Sequence, residues 1–210
     1  MAMLQSANSF PDHGSGGLGR VAHGALTHPS GGHDGPRLFL GYNTLPDPPF
    51  PLVGYLQYDM DACAADLDPA ALLRAAADSM RAQPVPPKEA FDESRRRVAT
   101  AMRVDALVMV VAARALAPER SQAARALWAN LVEGYYRDGD VEACVDAREA
   151  AVALGVDREG AQVLLLAERD PSGGYAAPAR VEGEPEGELF DLLGEVLDAQ
   201  YMWTKAAFAL

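Results

Sequence analysis

Apolar residues recur at three- and four-residue spacing through much of the chain from Gly54 onward, the period of an amphipathic helix. Asp68-Pro69 is a cap followed by a first-turn proline, and the spacing after it predicts a helix over 70–82, with Leu72, Leu73, Ala76 and Met80 on one side. Pro84-Val85-Pro86-Pro87 ends that helix. Lys88 to Met102 reads as a second helix with Phe91, Val98 and Met102 inward. Val104 to Leu116 is apolar nearly all round and reads as the most buried helix, broken at Pro118, with Ser121 capping the next. Leu127, Leu131, Tyr135, Val141, Val145 and Val152 then predict an antiparallel helix pair. Asp138-Gly139-Asp140 forms its turn, since Gly139 suits a left-handed position and Asp140 can cap the following helix. Leu154-Gly155-Val156-Asp157 repeats that punctuation and opens a helix to about Glu168.

The helix starts near Lys88, Ser121 and Asp157 lie 33 and 36 residues apart, a period that marks stacked helical hairpins. The expected fold is therefore all-α: a short array of antiparallel hairpins over 54–169, flanked by an extended N-terminal arm and a C-terminal helix. The arm, 1–53, carries a crowd of glycines in its first part and Pro46, Pro48, Pro49 and Pro51 later, which disfavours packing on itself. Its Phe39, Tyr42 and Phe50 suit an arm laid on a partner. An acidic linker, 170–187, leads to an amphipathic helix over 188–210. Leu189, Leu192, Leu193, Val196 and Leu197 share one face of that helix, and Trp203 lies near its end.

Composition narrows the chemistry. Of 210 residues, 49% are hydrophobic but only 7% aromatic, and the formal charge is -12, a field that repels phosphate backbones. Cys63 and Cys144 make neither a disulfide framework nor a thiol-redox motif. No apolar run is long enough to predict a membrane span, and no secretory leader is evident. Gly14-Ser-Gly16-Gly-Leu-Gly19 fits a dinucleotide fingerprint in letters, but no strand pattern precedes it. His13, His23, His28 and His33 are spaced too widely, without Cys or carboxylate support, to suggest a metal site. No histidine follows His33 and no phosphate loop occurs, so no catalytic residue, cofactor or metal is expected.

Leu131-Val-Glu-Gly-Tyr-Tyr-Arg-Asp-Gly-Asp-Val-Glu-Ala, followed by Ala153-Leu-Gly-Val-Asp, resembles a pentatricopeptide repeat. Ala70-Ala-Leu-Leu-Arg through Met80, Val85 and Pro87 resembles the second helix and the ending of another. The resemblance covers about Gly54 to Glu168 and implies a solenoid of hairpins in an organellar setting. Family members read single-stranded RNA one base per repeat, and the matching positions here are Asn130 and Glu159 or Gly160. Leu127 to Leu164 is also similar to the helical insertion of thioredoxin-fold isomerases of the DsbA type, which implies thiol chemistry at Cys63.

Three expectations follow, in descending order. The first is a non-catalytic accessory subunit that binds a larger protein assembly through its arm and final helix, using Phe39, Tyr42, Phe50, Leu193 and Trp203. It resembles the hairpin-built accessory subunit on the F1 head of some protist mitochondrial ATP synthases, which implies the mitochondrial matrix, with the cytoplasm as the other setting. The second is an organellar RNA-binding or ribosome-associated repeat protein using Arg95, Arg96, Arg97 and Asn130. The third is a thiol oxidoreductase or isomerase.

Overall fold

The computed structural model describes residues 5–6, 16–28, 35–44, 54–58, 68–85, 87, 102–118, 121–135, 137, 139–170, 174–181 and 187–208. Among the described residues a seven-stranded antiparallel sheet runs in the order β1-β3-β2-β4-β5-β6-β7. Its strands are β1 (Gln5–Ser6), β2 (Arg37–Thr44), β3 (Gly54–Tyr58), β4 (Met102–Ala115), β5 (Arg148–Asp157), β6 (Gln162–Glu168) and β7 (Ala179–Arg180). Helix α1 (Gly16–Thr27) covers one face, and α2 (Pro69–Ala82) with α5 (Glu188–Phe208) covers the other. Between β4 and β5 the chain makes an excursion through α3 (Gln122–Val132) and the single turn α4 (Asp140–Ala143).

The all-α hairpin array is therefore wrong, and the reason is visible in β4. Ala106, Leu107, Val108, Met109 and Val110 form a continuous apolar run because the strand lies mid-sheet and is covered on both faces there. Such a run has no period of its own and reads equally as a buried helix. Its valines, stiff at Cβ, suit a pleated strand better than a helix. Along β4, Ala106, Val108 and Val110 face α1, while Leu107 and Met109 join the cluster beneath α2 and α5. The adjoining β5 repeats the pattern in register, with Val108 opposite Gly155 and Met109 opposite Leu154.

The presumed helix at 157–168 is instead a tight hairpin between β5 and β6. The Asp157 amide donates to the Ala161 carbonyl, and an Asp157 carboxylate oxygen accepts from the Glu159 and Ala161 amides. Gly160 supplies the left-handed residue at φ +84°. The expected hairpin array has no second helix at Val145–Val152 either, because Arg148 already begins β5.

The N-terminal arm is also corrected. Residues 16–27 form α1 and 37–44 form β2, both part of the fold. Leu18, Val21, Ala22, Ala25 and Leu26 of α1 pack on Phe39, Tyr55 and the small residues of the sheet. Close approach explains one of the arm's glycines, Gly24, and Gly155 in β5 likewise. A Cβ on Gly24 would lie 2.5 Å from the Tyr55 ring, and one on Gly155 would lie 2.9 Å from Val163 and 3.1 Å from Leu18.

Where period and caps agreed, helices stand as expected. The Asp68 side chain accepts from the Ala70 and Ala71 amides, Pro69 begins α2, and Leu72, Leu73, Ala76 and Met80 are buried. Ser121 accepts from the Ala124 amide to begin α3. Leu193, Val196 and Leu197 of α5 pack with α2 in the core on that side of the sheet. Each large apolar side chain fully withdrawn from water there contributes about 1.5–3 kcal/mol.

Candidate functional site

The cleft arises because α2 and α5 pack side by side on the sheet and α2 ends sooner. Past Ala82, Gln83 adopts extended backbone, and the described residues leave the groove between the two helices open. The opening holds about 360 Å³. Met80 and Ala199, both buried, form its floor. Val85, Met202 and Trp203 form apolar walls, and Arg81, Gln83 and Asp198 stand at the rim. Met202 is 61% exposed and Val85 50%, so the apolar lining continues onto the open surface. Two methionines and a tryptophan make an adaptable, polarizable surface of the kind that receives apolar side chains of varied shape.

The charges around the cleft are mostly carboxylates. Arg81 is shared between Asp78, at 3.3 Å, and Glu195, at 3.4 Å, and Arg74 pairs with Glu188. All three of these acids and both arginines are half or more exposed, so the pairs add little to stability and mainly fix side-chain positions. Asp191 and Asp198 add further exposed acids on α5, against Lys205 alone. Among the described residues the rim therefore presents more negative than positive charge, in keeping with the whole chain.

On the other flank of α5 lies a second polar cluster. A register shift in the β2–β4 pairing leaves Asp105 as an extra residue, since Gly41 pairs with Ala106 and Tyr42 with Val104. The Arg158 backbone amide donates to the Asp105 carbonyl, its Nε donates to the Val104 carbonyl at 2.7 Å, and Nε lies 3.4 Å from the Asp105 carboxylate. Nη2 donates to the Gln200 side chain at 3.1 Å. These bonds clamp α5 to the hairpin end of the sheet and so hold the neighbouring cleft.

The other buried polar group serves the fold. Arg37 donates to the His28 carbonyl at the end of α1 at 2.9 Å and lies 5.6 Å from the centre of the Phe39 ring. Burial lowers its pKa below the usual arginine range, and Tyr175 offsets this in part. Burial also raises the Tyr55 phenol above its usual value, while its hydroxyl donates to the Gly24 carbonyl.

The residues singled out from sequence fall in different places. Phe39 and Leu193 are wholly buried, one on each side of the sheet, and Tyr42 is buried in β2; the fold already uses all three, which corrects their assignment to a partner surface. Trp203 is the one that reaches the cleft. Phe50, Arg95, Arg96, Arg97, Cys63, His13 and His33 lie outside the described residues. Asn130 is exposed on α3, whereas Glu159 and Gly160 sit at the β5–β6 turn, so no base-reading pair of the repeat type is formed. His23 lies within α1 and His28 just beyond it, where the His28 ring packs edge-on against Phe39 and Tyr55. Cys144 caps the end of α4. Gly16, Gly17 and Gly19 of the apparent dinucleotide fingerprint lie in the first turn of α1. Sequence reasoning missed the joint role of Met80, Val85 and Met202, because their convergence depends on the packing of α2 against α5.

Among the described residues no cluster of three or more His, Cys, Asp or Glu could hold a metal ion, and no helix is long and apolar enough to cross a membrane. In comparisons with known proteins, the chain matches no protein family, no curated protein and no solved structure.

Proposed function

We propose that this chain is a non-catalytic binding subunit that holds a larger protein assembly, receiving a helical segment of its partner in the cleft between α2 and α5. The observation that carries the reading is the lining itself: Met80, Met202, Trp203 and Val85 converge on one opening that continues onto exposed surface. A helix laid in such a groove inserts apolar side chains at i, i+3 and i+4. Charge defines the rest of the partner. With acids prevailing at the rim and -12 on the whole chain, the segment carries Lys or Arg beside its apolar anchors. The comparison with an F1-head subunit rested on stacked hairpins and does not extend to this sheet. RNA is the less favoured partner, because the overall field opposes phosphate.

The test places a photoreactive phenylalanine at Met202 and, as a control, at Glu159 on the β5–β6 turn, on the other flank of α5. Crosslinking in cells that express the protein is followed by mass spectrometry of the joined peptide. The expected product joins position 202 to a basic, amphipathic segment, and a synthetic copy of that segment binds the wild type, binds more weakly with added salt and fails to bind Met202→Glu. A product equal at both positions overturns the reading. So does a small apolar molecule that co-purifies with the wild type and is lost from Ala199→Trp, or salt-sensitive binding of single-stranded RNA that Met202→Glu leaves unchanged.

A further inference from the structure

Helix α3 is out of balance with its surroundings. Its sequence, Gln-Ala-Ala-Arg-Ala-Leu-Trp-Ala-Asn-Leu-Val, contains eight apolar residues in eleven, yet Ala124 alone is buried. Leu127 and Leu131 share that inward side and are partly covered. Ala126, Trp128, Ala129 and Val132 are left in water, and the chain just beyond adds Tyr135, 75% exposed. A soluble helix packed on one side normally turns polar residues outward. Here the outward side is apolar, with Arg125 and Glu133 near its two ends.

Those two charges are placed symmetrically, each four residues from Ala129. We propose that α3 is a self-association surface, on which a second copy of this chain docks its own α3 antiparallel across a two-fold axis through Ala129. A two-fold contact uses one patch twice, so residue i meets j and j meets i. Antiparallel pairing about Ala129 sets Arg125 opposite Glu133 twice over. It lays Ala126 and Val132 on either side of the axis, and Trp128, one turn before Val132, borders the contact on the same flank. The alanines at the axis allow the close approach that such a crossing needs. This complementarity to itself argues for a second copy. A lipid surface is disfavoured, because an interfacial helix of this kind carries Lys and Arg, whereas Glu133, Asp140, Glu142 and Asp146 accompany this one. One helix pair is a small interface, so the dimer is a weak one that forms in the micromolar range.

Sedimentation equilibrium of the full chain across the micromolar range tests this with three charge variants. Arg125→Glu and Glu133→Arg each place like charges opposite one another and are expected to weaken dimerisation at least tenfold. An equimolar mixture of those two variants restores both ion pairs in the mixed dimer, and the double variant Arg125→Glu/Glu133→Arg restores them in its own. Trp128→Glu, with an unchanged circular dichroism spectrum, is expected to be monomeric. Wild type that stays monomeric throughout the range overturns the proposal, as does a dimer unaffected by Trp128→Glu or a mixture no more associated than its components. Binding of α3 to phosphatidylcholine–phosphatidylglycerol vesicles in place of self-association overturns it as well. None of these outcomes depends on the α2–α5 cleft.

Discussion

The Arg158 guanidinium lies 4.4 Å from the centre of the Tyr201 ring, stacking the β5–β6 turn on the exposed flank of α5. The same side chain reaches the Val104 carbonyl, the Asp105 carboxylate and Gln200. One residue thus ties the displaced strand position in β4, the hairpin turn and the C-terminal helix together.

Replacing Arg158 by Ala leaves the Asp105 carboxylate, with a side chain only 12% exposed, without that cation. The expected cost is about 2–4 kcal/mol, the range for stripping one partner from a poorly solvated charge. Tyr201→Leu removes only the ring beneath the cation and should cost about 0.5–1 kcal/mol, because the site is partly wet. Urea unfolding of both variants and of Arg158→Ala/Tyr201→Leu checks this. The double variant should be no less stable than Arg158→Ala by more than the leucine's own effect, since the ring then has no cation to hold.

Gly24→Ala tests the contact between α1 and the sheet. The new methyl would overlap the Tyr55 ring at 2.5 Å, and that ring is hemmed in by Phe39 at 5.9 Å and His28 at 6.2 Å. Overpacking of this kind costs about 1–3 kcal/mol. Tyr55→Leu, which removes the obstructing ring edge, should recover part of the loss when combined with Gly24→Ala. Thermal unfolding followed by circular dichroism measures both.

Tyr55 also predicts a pH dependence. Burial raises its folded-state pKa, so the unfolded chain releases the phenol proton first as pH rises past about 10. The native state binds more protons in that window, so stability falls with rising pH there and is unaffected by this group below it. Tyr55→Phe should flatten that fall. The comparison is between the slopes of unfolding free energy against pH for the two proteins, which removes the contribution of the other tyrosines.

How much of this was legible beforehand depended on whether local signals and tertiary covering agreed. At Asp68-Pro69 and at Ser121 the cap chemistry is local, and the helices start there. In α5 one apolar stripe faces the core and the other side faces water, so the period shows plainly. In β4 and β5 both faces are covered, so the alternation that reveals a strand is erased, and the alanines at 112, 113, 150, 151 and 153 tipped the pattern toward helix. Ala151, Ala153 and Gly155 are small because α1 lies against them, a fact about packing that no short window contains. The cleft was illegible for the same reason. Met80 and Met202 are far apart in sequence and meet only because α2 and α5 share one side of the sheet.

The last expectation separates what holds the cleft from what decorates it. Met80 is 5% exposed at the floor, among Leu73, Ala76, Val196 and Ala199 of the same cluster, whereas Arg81 and Glu195 meet in water above it. Met80→Ala removes three heavy atoms from a packed region and should cost about 2–4 kcal/mol, tempered because the cleft admits solvent into part of the space. Arg81→Ala and Glu195→Ala should each cost under about 0.5 kcal/mol, with a coupling of similar size that fades in high salt. Double-mutant cycles in urea at low and high ionic strength provide the measurement. A large coupling between Arg81 and Glu195, insensitive to salt, would mean that the two helices are held together by charge across a dry contact. The exposure of both side chains argues the opposite: burial of Met80, Leu193 and Val196 fixes the spacing of α2 and α5, and the ion pairs settle onto a groove whose width is already set.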